Sequence, residues 1–325
     1  MRHPITRRSI TRGVIGLTLG AISALPAPAQ SWPTRPIRLV VPFPPGGGVD
    51  AVGRILAEPL TQALGQPVIV ENRAGAGGAI GVDSVAKALP DGYAFSMVSA
   101  GNMTAGPVVR RTPYDPTTLG FVTMVCHSPL LLVARNTLEA RDLAAFVALV
   151  RRQPDLIRFA SGGVGTATHL AGELMNLRLG TRMLHIPYRG TAPALTDIVA
   201  GNADIFFSDS SAWPMVQQGQ MRLLGVTSAA PWATSPDTPP INRLVPDFDI
   251  SNWYGMIAPL DTPFAIRERL AAEIARILAR AEVREMLGRI GFEPAPMATA
   301  AFGAFVRRET ETWRAVVKAA NIQAE

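Results

Sequence analysis

The chain has 325 residues, enough for about two ordinary domains, and its 48% hydrophobic and 17% charged residues exclude wholesale disorder. Its formal net charge is +6, but four arginines lie in the first 29 residues, which contain no acid. The rest of the chain is therefore close to neutral, which excludes nucleic acid as the main partner. The single cysteine, Cys126, excludes an internal disulfide and a cysteine metal cluster.

The N-terminus has the composition of an export signal. Residues 1–12 carry only positive charge, residues 13–25 are apolar and small, and residues 27–29 (Ala-Pro-Ala) resemble a cleavage site. The apolar run is shorter than the ~20 residues that a membrane-spanning helix requires, so an export signal over residues 1–29 is favoured over an anchor. The Arg7-Arg8 pair resembles a twin-arginine signal, and the general secretory route stays open. Both routes predict a periplasmic protein.

The first half of the mature chain alternates strands, glycine turns and helices. Residues 37–43 predict a buried strand that a Pro-Gly run ends, and an amphipathic helix follows in which Pro59 predicts a kink or a loosened turn. Further strands are predicted at 68–70, 94–98, 121–125 and 130–133, and a further helix at 80–88. This alternation is typical of an α/β fold with a parallel sheet.

The same pattern begins again in the second half. Helices are predicted at 143–152, 168–179 and 193–200, and strands at 159–161, 183–187, 205–207 and 223–226. Two amphipathic helices, around 266–278 and 302–317, then close the chain without strands of their own. They need a sheet to cover, and the first one is the simplest partner. The first domain is therefore expected to be discontinuous in sequence.

Three predicted strand-to-helix turns are rich in small residues, at 45–49, 74–78 and 161–168. In a parallel α/β sheet such turns lie at the carboxyl ends of strands, where ligands bind. Glycine lets the backbone approach a ligand closely, and the first N–H groups of the following helix have no partner within it. These turns therefore predict an anion pocket that needs no basic side chain.

Three rival motifs fail on inspection. A dinucleotide fingerprint at residues 163–168 would end in glycine or alanine, and Thr168 stands there. A P-loop needs a lysine in its glycine loop, and neither Lys87 nor Lys318 lies in one. A hydrolase nucleophile elbow would require glycine where Phe159 stands. No cofactor is therefore expected.

The histidines leave one catalytic alternative open. Ser161 and His169 are eight residues apart and could meet across one loop as an extracytoplasmic hydrolase, although no orienting acid is evident. His127 and His185 stand singly, and no pair has the helical spacing of metal ligands, so no metal site is expected. A helix-start role for His169 is favoured over catalysis.

Seven segments of the chain, in order, resemble one known family. They are residues 32–50 (WPTRPIRLVVPFPPGGGVD), 68–78 (VIVENRAGAGG), 86–93 (AKALPDGY), 159–173 (FASGGVGTATHLAGE), 185–197 (HIPYRGTAPALTD), 225–228 (GVTS) and 316–322 (VVKAANI). They closely resemble the Bug family, the TctC-like periplasmic substrate-binding proteins of tripartite tricarboxylate transporters. The match covers almost the whole mature chain.

The resemblance implies a bilobed α/β fold, the type II or Venus-flytrap fold of periplasmic binding proteins, with two α/β lobes joined by two crossover strands. Placed on this sequence, lobe 1 comprises residues 30–132 and 254–325, and lobe 2 residues 133–253. The expected function is that of a monomeric solute receptor and not an enzyme. It would bind a small organic carboxylate and deliver it to membrane transporter subunits or to a sensor.

The resemblance also assigns the ligand-binding residues. Loop backbone amides and ordered waters are expected to hold the carboxylate. In lobe 1 the role falls on Phe43, Pro45, Gly46, Gly47 and Gly48. In lobe 2 it falls on Ser161, Gly162, Gly165, Thr166, Thr168, His169, Tyr188, Gly190 and Thr191, with Asp209 at the rim.

Three departures from the family pattern bear on the ligand. Val49 and Ala167 stand where the family usually has hydroxyl residues, and Asp209 comes one position late, after Ser208. Fewer hydroxyls favour a less polar acid, an aromatic one among the candidates, and the shifted aspartate weakens an amino-acid assignment. For Tyr254, packing and ligand contact remain equal alternatives.

Overall fold

The structure is a computed structural model that describes Met1 and residues 32–320. The chain divides into two compact units, Met1–Trp32 and Pro33–Glu325, and every element below belongs to the second. The predicted export signal lies, apart from Met1, outside the described residues.

The described residues form eleven strands and ten helices. Strands β1 to β11 span Ile37–Val41, Val68–Asn72, Ala94–Ser99, Gly120–Pro129, Leu131–Arg135, Arg158–Ser161, Leu184–Pro187, Ile205–Ser208, Met221–Val226, Ser251–Ala258 and Glu293–Pro294. Helices α1 to α10 span Gly48–Leu64, Ala79–Ala86, Gly106–Val109, Leu143–Arg152, Ala167–Leu179, Thr191–Ala200, Trp213–Gln217, Phe264–Leu278, Ala281–Arg289 and Thr299–Ala320. A π-helical turn at Gly101–Ala105 follows β3.

The strands form two mixed sheets, in the orders β11-β4-β10-β3-β1-β2 and β7-β6-β8-β5-β9. Strand β1 runs parallel to both neighbours, as β6 does in the second sheet, whereas β10 and β5 run antiparallel to theirs. The predicted parallel pairing is confirmed for β1 and β6 with their neighbours and is wrong for β5 and β10. The direction of a strand in a sheet depends on how the chain connects it to the preceding element. The apolar pattern of a strand is the same for a parallel and an antiparallel neighbour, so the pattern does not reveal the direction.

The first sheet is discontinuous in sequence, as expected. Strands β1–β4 precede the second sheet, and β10 and β11 return after it. The closing helices α8 and α10 both pack on β4. We call the first sheet with its helices lobe 1 and the second lobe 2. The predicted lobe boundaries, at 132/133 and 253/254, fall inside β5 and β10, so the exact boundaries stay a prediction.

Two connections join the lobes, Leu130 between β4 and β5 and residues 227–250 between β9 and β10. Thr227, which is fully buried, binds both. Its hydroxyl accepts from the Leu130 N–H at 2.8 Å and donates to the Ile250 carbonyl at 2.6 Å. Its N–H donates to the Leu130 carbonyl at 3.0 Å, and its carbonyl accepts from the Ile250 N–H at 3.1 Å. One residue therefore holds the two connections side by side.

The start of helix α1 is what positions the first glycine loop. Gly47 caps the helix in an extended conformation, and Gly46 before it has a φ of +90°, which favours glycine. The helix then continues past Pro59 to Leu64, so the proline does not end it. None of the described helices combines the length and apolar character needed to cross a membrane.

Candidate binding cleft

A cleft with a cavity volume of about 40 Å³ lies between loops of the two lobes. It is lined by Phe43, Gly47, Gly48, Val49, Ser99, Gly101, Gly162, Thr166, Ala167, Thr168, Thr191, Asp209, Asn252 and Tyr254. Among these lining residues Asp209 carries the only charged side chain.

The two lobes touch on both sides of the cleft. A Cβ built on Gly101 of lobe 1 would lie 3.0 Å from the backbone nitrogen of Ala167 in lobe 2. A Cβ built on Gly47 would lie 3.7 Å from the Cβ of Thr191. The loops therefore enclose the cleft in a closed arrangement.

A hydrogen-bonded brace holds the first glycine loop. The Asp50 carboxylate accepts from the Gly46 N–H at 3.0 Å and from the Arg54 Nε at 3.0 Å. The Asn72 amide donates to both the Phe43 carbonyl and the Asp50 carboxylate at 2.9 Å. Burial of Asp50 opposes ionisation, but the hydrogen bonds from Arg54 and Asn72 outweigh it and lower the pKa of its carboxyl. A charged, fully bonded Asp50 fixes the loop without facing a ligand itself.

Helix α1 begins directly at the cleft. Its first N–H groups, those of Gly48 and Val49, have no partner within the helix, and both residues line the wall. A Cβ on Gly48 would lie 2.6 Å from the Tyr254 hydroxyl and 3.0 Å from the Asp209 Oδ1. Only glycine therefore allows the start of α1 to approach lobe 2 this closely.

The amides of the second glycine loop are bonded inside the loop. The Gly162 N–H donates to the Thr168 Oγ1 at 2.9 Å, and the Gly165 N–H donates to the His169 Nδ1 at 3.2 Å. The Gly163 N–H likewise donates to the Ser161 Oγ at 3.1 Å. These amides shape the loop and are not free for a ligand.

Helix α5 supplies the donors on this side. Thr166 caps it, and its Oγ1 accepts from the His169 N–H at 3.3 Å and donates to the Gly163 carbonyl at 2.7 Å. The first helical residues, Ala167 and Thr168, line the cleft, and their N–H groups are those that a helix leaves without an internal partner. The cleft therefore lies between the N-termini of two helices, α1 and α5.

Ser161 pairs with a different histidine from the one that the hydrolase alternative required. Its Oγ lies 2.6 Å from the His185 Nε2, whereas the Nδ1 of His169 accepts from Gly165. The imidazole rings of the two histidines stack with centroids 4.1 Å apart. Burial lowers the pKa of His169 to about 4 and, with His169 beside it, that of His185 to about 3. Both rings are neutral near pH 7, and the Ser161–His169 pair is absent.

Asp209 is held by neutral donors. Its Oδ2 accepts from the Tyr254 hydroxyl at 2.9 Å and from the Thr191 hydroxyl at 2.9 Å, and its Oδ1 accepts from the Ser211 N–H at 3.0 Å. Burial, together with the charge of Asp209, raises the pKa of Tyr254 well above its usual value. The phenol therefore remains a donor, and Tyr254 both contacts the cleft and packs.

Eight of the site residues predicted from the sequence line the cleft. They are Phe43, Gly47, Gly48, Gly162, Thr166, Thr168, Thr191 and Asp209. Ser161, Gly165 and His169 are buried behind the second glycine loop, which they shape. The predicted residues therefore include some that line the cleft and others that hold the second glycine loop in place.

Four predicted residues lie away from the cleft wall. Pro45 and Gly46 are exposed on the first loop, and Gly190 is buried against Pro44. The hydroxyl of Tyr188 donates to Asp197 at 2.7 Å and does not reach the cleft.

Three wall residues were missed by the sequence reasoning, Ser99, Gly101 and Asn252. Ser99 and Gly101 come at the carboxyl end of β3, so the rule that located the glycine turns could also have found them. Asn252 gave no such signal, because β10 enters the sheet antiparallel from the crossover.

No group of three or more His, Cys, Asp or Glu side chains that could hold a metal ion occurs in the part of the chain that the structure describes.

Two α/β lobes, joined by two crossovers around a cleft between helix N-termini, define a bilobed periplasmic binding protein. Residues 52–322 match the family model of the tripartite tricarboxylate transporter family receptor, TctC. The chain belongs to this family.

Curated relatives agree over nearly the full length. The chain is 37% identical over 318 residues to a UPF0065 protein in the tcbD-tcbE intergenic region of Pseudomonas sp. (strain P51), covering 96% of this chain and 94% of the relative. It is 34% identical over 322 residues to Protein BugT of Bordetella pertussis, covering 97% of each chain.

Solved structures share the fold. The periplasmic binding protein BugD superposes with a TM-score of 0.86 at 32% identity, over 90% of this chain and all of BugD. R. palustris Rpa4515 with adipate gives 0.87 at 31% identity, again over 90% of this chain and all of Rpa4515. MatC from Rhodopseudomonas palustris with bound malate gives 0.84 at 30% identity, over 88% of this chain and all of MatC. Members of this family are periplasmic solute-binding receptors and not enzymes, so the hydrolase alternative is wrong.

Proposed function

We propose that this receptor binds a small organic carboxylate in the cleft between its lobes and delivers it to the membrane subunits of a tripartite transporter or to a sensor. The observation that carries the proposal is the meeting of two helix N-termini, at Gly48 of α1 and Ala167 of α5, in one enclosed cleft. Unpaired N–H groups and the helix dipoles favour an anion at such a point.

The carboxylate would accept from the first N–H groups of α1 and α5. Hydrogen bonds from N–H groups to a carboxylate are stronger than those between neutral groups. Bridging waters would complete its coordination, since they replace direct bonds at small cost. The amides of Gly162 and Gly165 are already bonded within their loop, so in this proposal they support the site and do not bind the ligand.

The comparisons support the substrate class. Two relatives of about 30% identity have structures with adipate and with malate, both organic acids. The wall of this cleft has an apolar side chain at Val49 and a carboxylate at Asp209. Both features favour an acid whose remaining part is apolar or carries no second charge. Export by the N-terminal signal would place the receptor in the periplasm, where the family works.

The test is a thermal-shift panel of benzoate, adipate and malate, each against its fully amidated neutral counterpart, with glutamate added as an amino acid, followed by calorimetry on any hit. A ligand at 100 times its Kd adds about 2.7 kcal/mol to the free energy of unfolding, which raises the Tm measurably. We expect a rise with at least one acid and none with the matching amide. Equal rises with acid and amide, or no rise with any acid, would contradict the proposal.

A further inference from the structure

Arg110 lies at a second place where the lobes meet. It follows helix α3 in lobe 1, and its guanidinium reaches between two glycine loops. Its Nη2 lies 2.5 Å from where a Cβ of Gly77 would be, and its Nε lies 3.3 Å from where a Cβ of Gly165 would be. Gly77 belongs to lobe 1 and Gly165 to lobe 2, so contact between the lobes is what encloses the side chain.

Arg110 is half-buried, and two nitrogen atoms of its guanidinium lack acceptors. Its Nε and Nη2 atoms are buried and have no hydrogen-bond partner, and no ion pair involves Arg110 among the described residues. Burial also lowers the pKa of Arg110. A cation that loses water without gaining an acceptor opposes the arrangement that buries it. Separation of the lobes would return water to it.

The guanidinium is close to the cleft but does not line it. Gly165, which Arg110 contacts, directly precedes the wall residue Thr166. The Gly165 N–H donates to His169, whose imidazole is neutral. Burial lowers the pKa of His169, and the charge of Arg110 lowers it further. Asp209, the charged lining residue, is already bonded by Tyr254 and Thr191. The charge of Arg110 therefore lies behind a loop that carries one wall of the cleft, where it would attract an anionic occupant.

We propose that Arg110 determines the receptor's selectivity for anions: closure of the lobes encloses two nitrogen atoms of its guanidinium without an acceptor, so closure is favourable over an anionic occupant and unfavourable over a neutral one of the same shape. The inference rests on the proposed function. Arg110 is a positioning and selectivity residue that acts through the closed state and does not itself contact the ligand.

The experiment measures, by calorimetry, the Kd of benzoate, adipate and malate and of their amides for the wild-type protein and four variants. Arg110→Gln and Arg110→Met remove the charge, Arg110→Lys keeps it, and Arg111→Gln is the matched control at the neighbouring exposed arginine. For an acid that binds the wild type, we expect Arg110→Gln to raise its Kd at least tenfold and to leave the Kd of the amide unchanged or lower. Arg110→Lys should keep most of the ratio between amide and acid, and Arg111→Gln all of it.

The outcomes separate the two proposals. If an acid binds the wild type and its advantage over the amide survives in Arg110→Gln, or if acid and amide weaken equally, the selectivity role is wrong while the proposed function stands. If no acid of the panel binds the wild type, the proposed function fails and this inference with it. Should Arg110→Gln not fold, the same ratio is measured on Arg110→Met.

Discussion

The hydroxyl of Tyr254, on strand β10 of lobe 1, donates a 2.9 Å hydrogen bond to the carboxylate of Asp209, in the loop after β8 of lobe 2. Both side chains are buried at the cleft wall. The bond joins the two lobes, so we expect it to stabilise their closed arrangement more than either lobe alone.

Removing this bond should weaken ligand binding. Tyr254→Phe deletes one hydrogen bond to a charged group, a contribution of about 1.5–3 kcal/mol, of which Thr191 and Ser211 recover part. We expect the Kd of a bound acid to rise about tenfold by calorimetry. Tyr188→Phe is the matched control, because it removes a tyrosine–aspartate bond of 2.7 Å away from the cleft wall. An equal loss of affinity in both variants would indicate that Tyr188 also contributes to ligand binding.

The close approach at Gly48 predicts a binding defect without unfolding. In Gly48→Ala the new methyl group would lie 3.0 Å from the Asp209 Oδ1 of lobe 2, besides 2.6 Å from the Tyr254 hydroxyl of its own lobe, so full closure of the lobes is opposed. We expect loss of measurable acid binding with a Tm close to that of the unliganded wild type. Gly288→Ala is the control, since its Cβ enters open space on helix α9, where alanine stabilises a helix by up to about 1 kcal/mol. Normal affinity in Gly48→Ala would show that the observed closure is not required for binding.

A comparison of two N-cap variants can distinguish an effect on stability from an effect on ligand binding. Thr166→Val removes the cap of α5, and Asp142→Ala removes that of α4, whose carboxylate accepts from the Ala145 N–H at 2.8 Å. Each should cost about 1 kcal/mol in the free energy of unfolding by urea titration. Only Thr166→Val should also raise the Kd, because it frees the start of α5 at the cleft. Equal affinities in the two variants would mean that the cap does not order the binding amides.

The buried histidines predict a loss of stability on acidification. Their pKa values, about 4 for His169 and about 3 for His185, lie below the ~6.5 of an unfolded histidine. As the pH falls below 6.5, the unfolded chain binds protons that the folded one does not, so the free energy of unfolding decreases by up to about 1.4 kcal/mol per pH unit for each histidine. Their contribution is fully present above pH 6.5 and is lost towards pH 4 and below.

Urea titrations between pH 7.5 and 4.5 measure this slope. His185→Gln should make it shallower than that of the wild-type protein. Glu309 acts in the opposite direction, because burial raises its pKa to about 7, so the comparison is between variants at the same pH. A slope that His185→Gln leaves unchanged would contradict the assignment.

Much of the fold could be predicted from the sequence because strands, glycine turns and helices alternate along it. Helix α4 occupies the predicted 143–152, and the discontinuous first sheet follows from a helical tail with no strands of its own. The directions of β5 and β10 could not be predicted, because both strands follow connections that pass from one sheet to the other. The short helix α9, at Ala281–Arg289, was missed within a tail read as two helices.

The parts of the site that are formed by residues close together in the sequence could be predicted. Glycine turns identified both helix starts, but spacing along the chain suggested His169 as the partner of Ser161. Strand pairing selects His185 instead, because β7 lies beside β6 and places His185 opposite Phe159. Contacts between neighbouring strands of a sheet produce no regular spacing in the sequence, so they could not be predicted from it.

The Thr227 hydroxyl has a consequence for how the receptor moves. Thr227, at one end of the connection 227–250, is bonded both to Leu130 of the other connection and to Ile250 at its own far end, so bending of one connection alone would strain a buried hydrogen bond. We therefore expect the two connections to bend together when the lobes open and close.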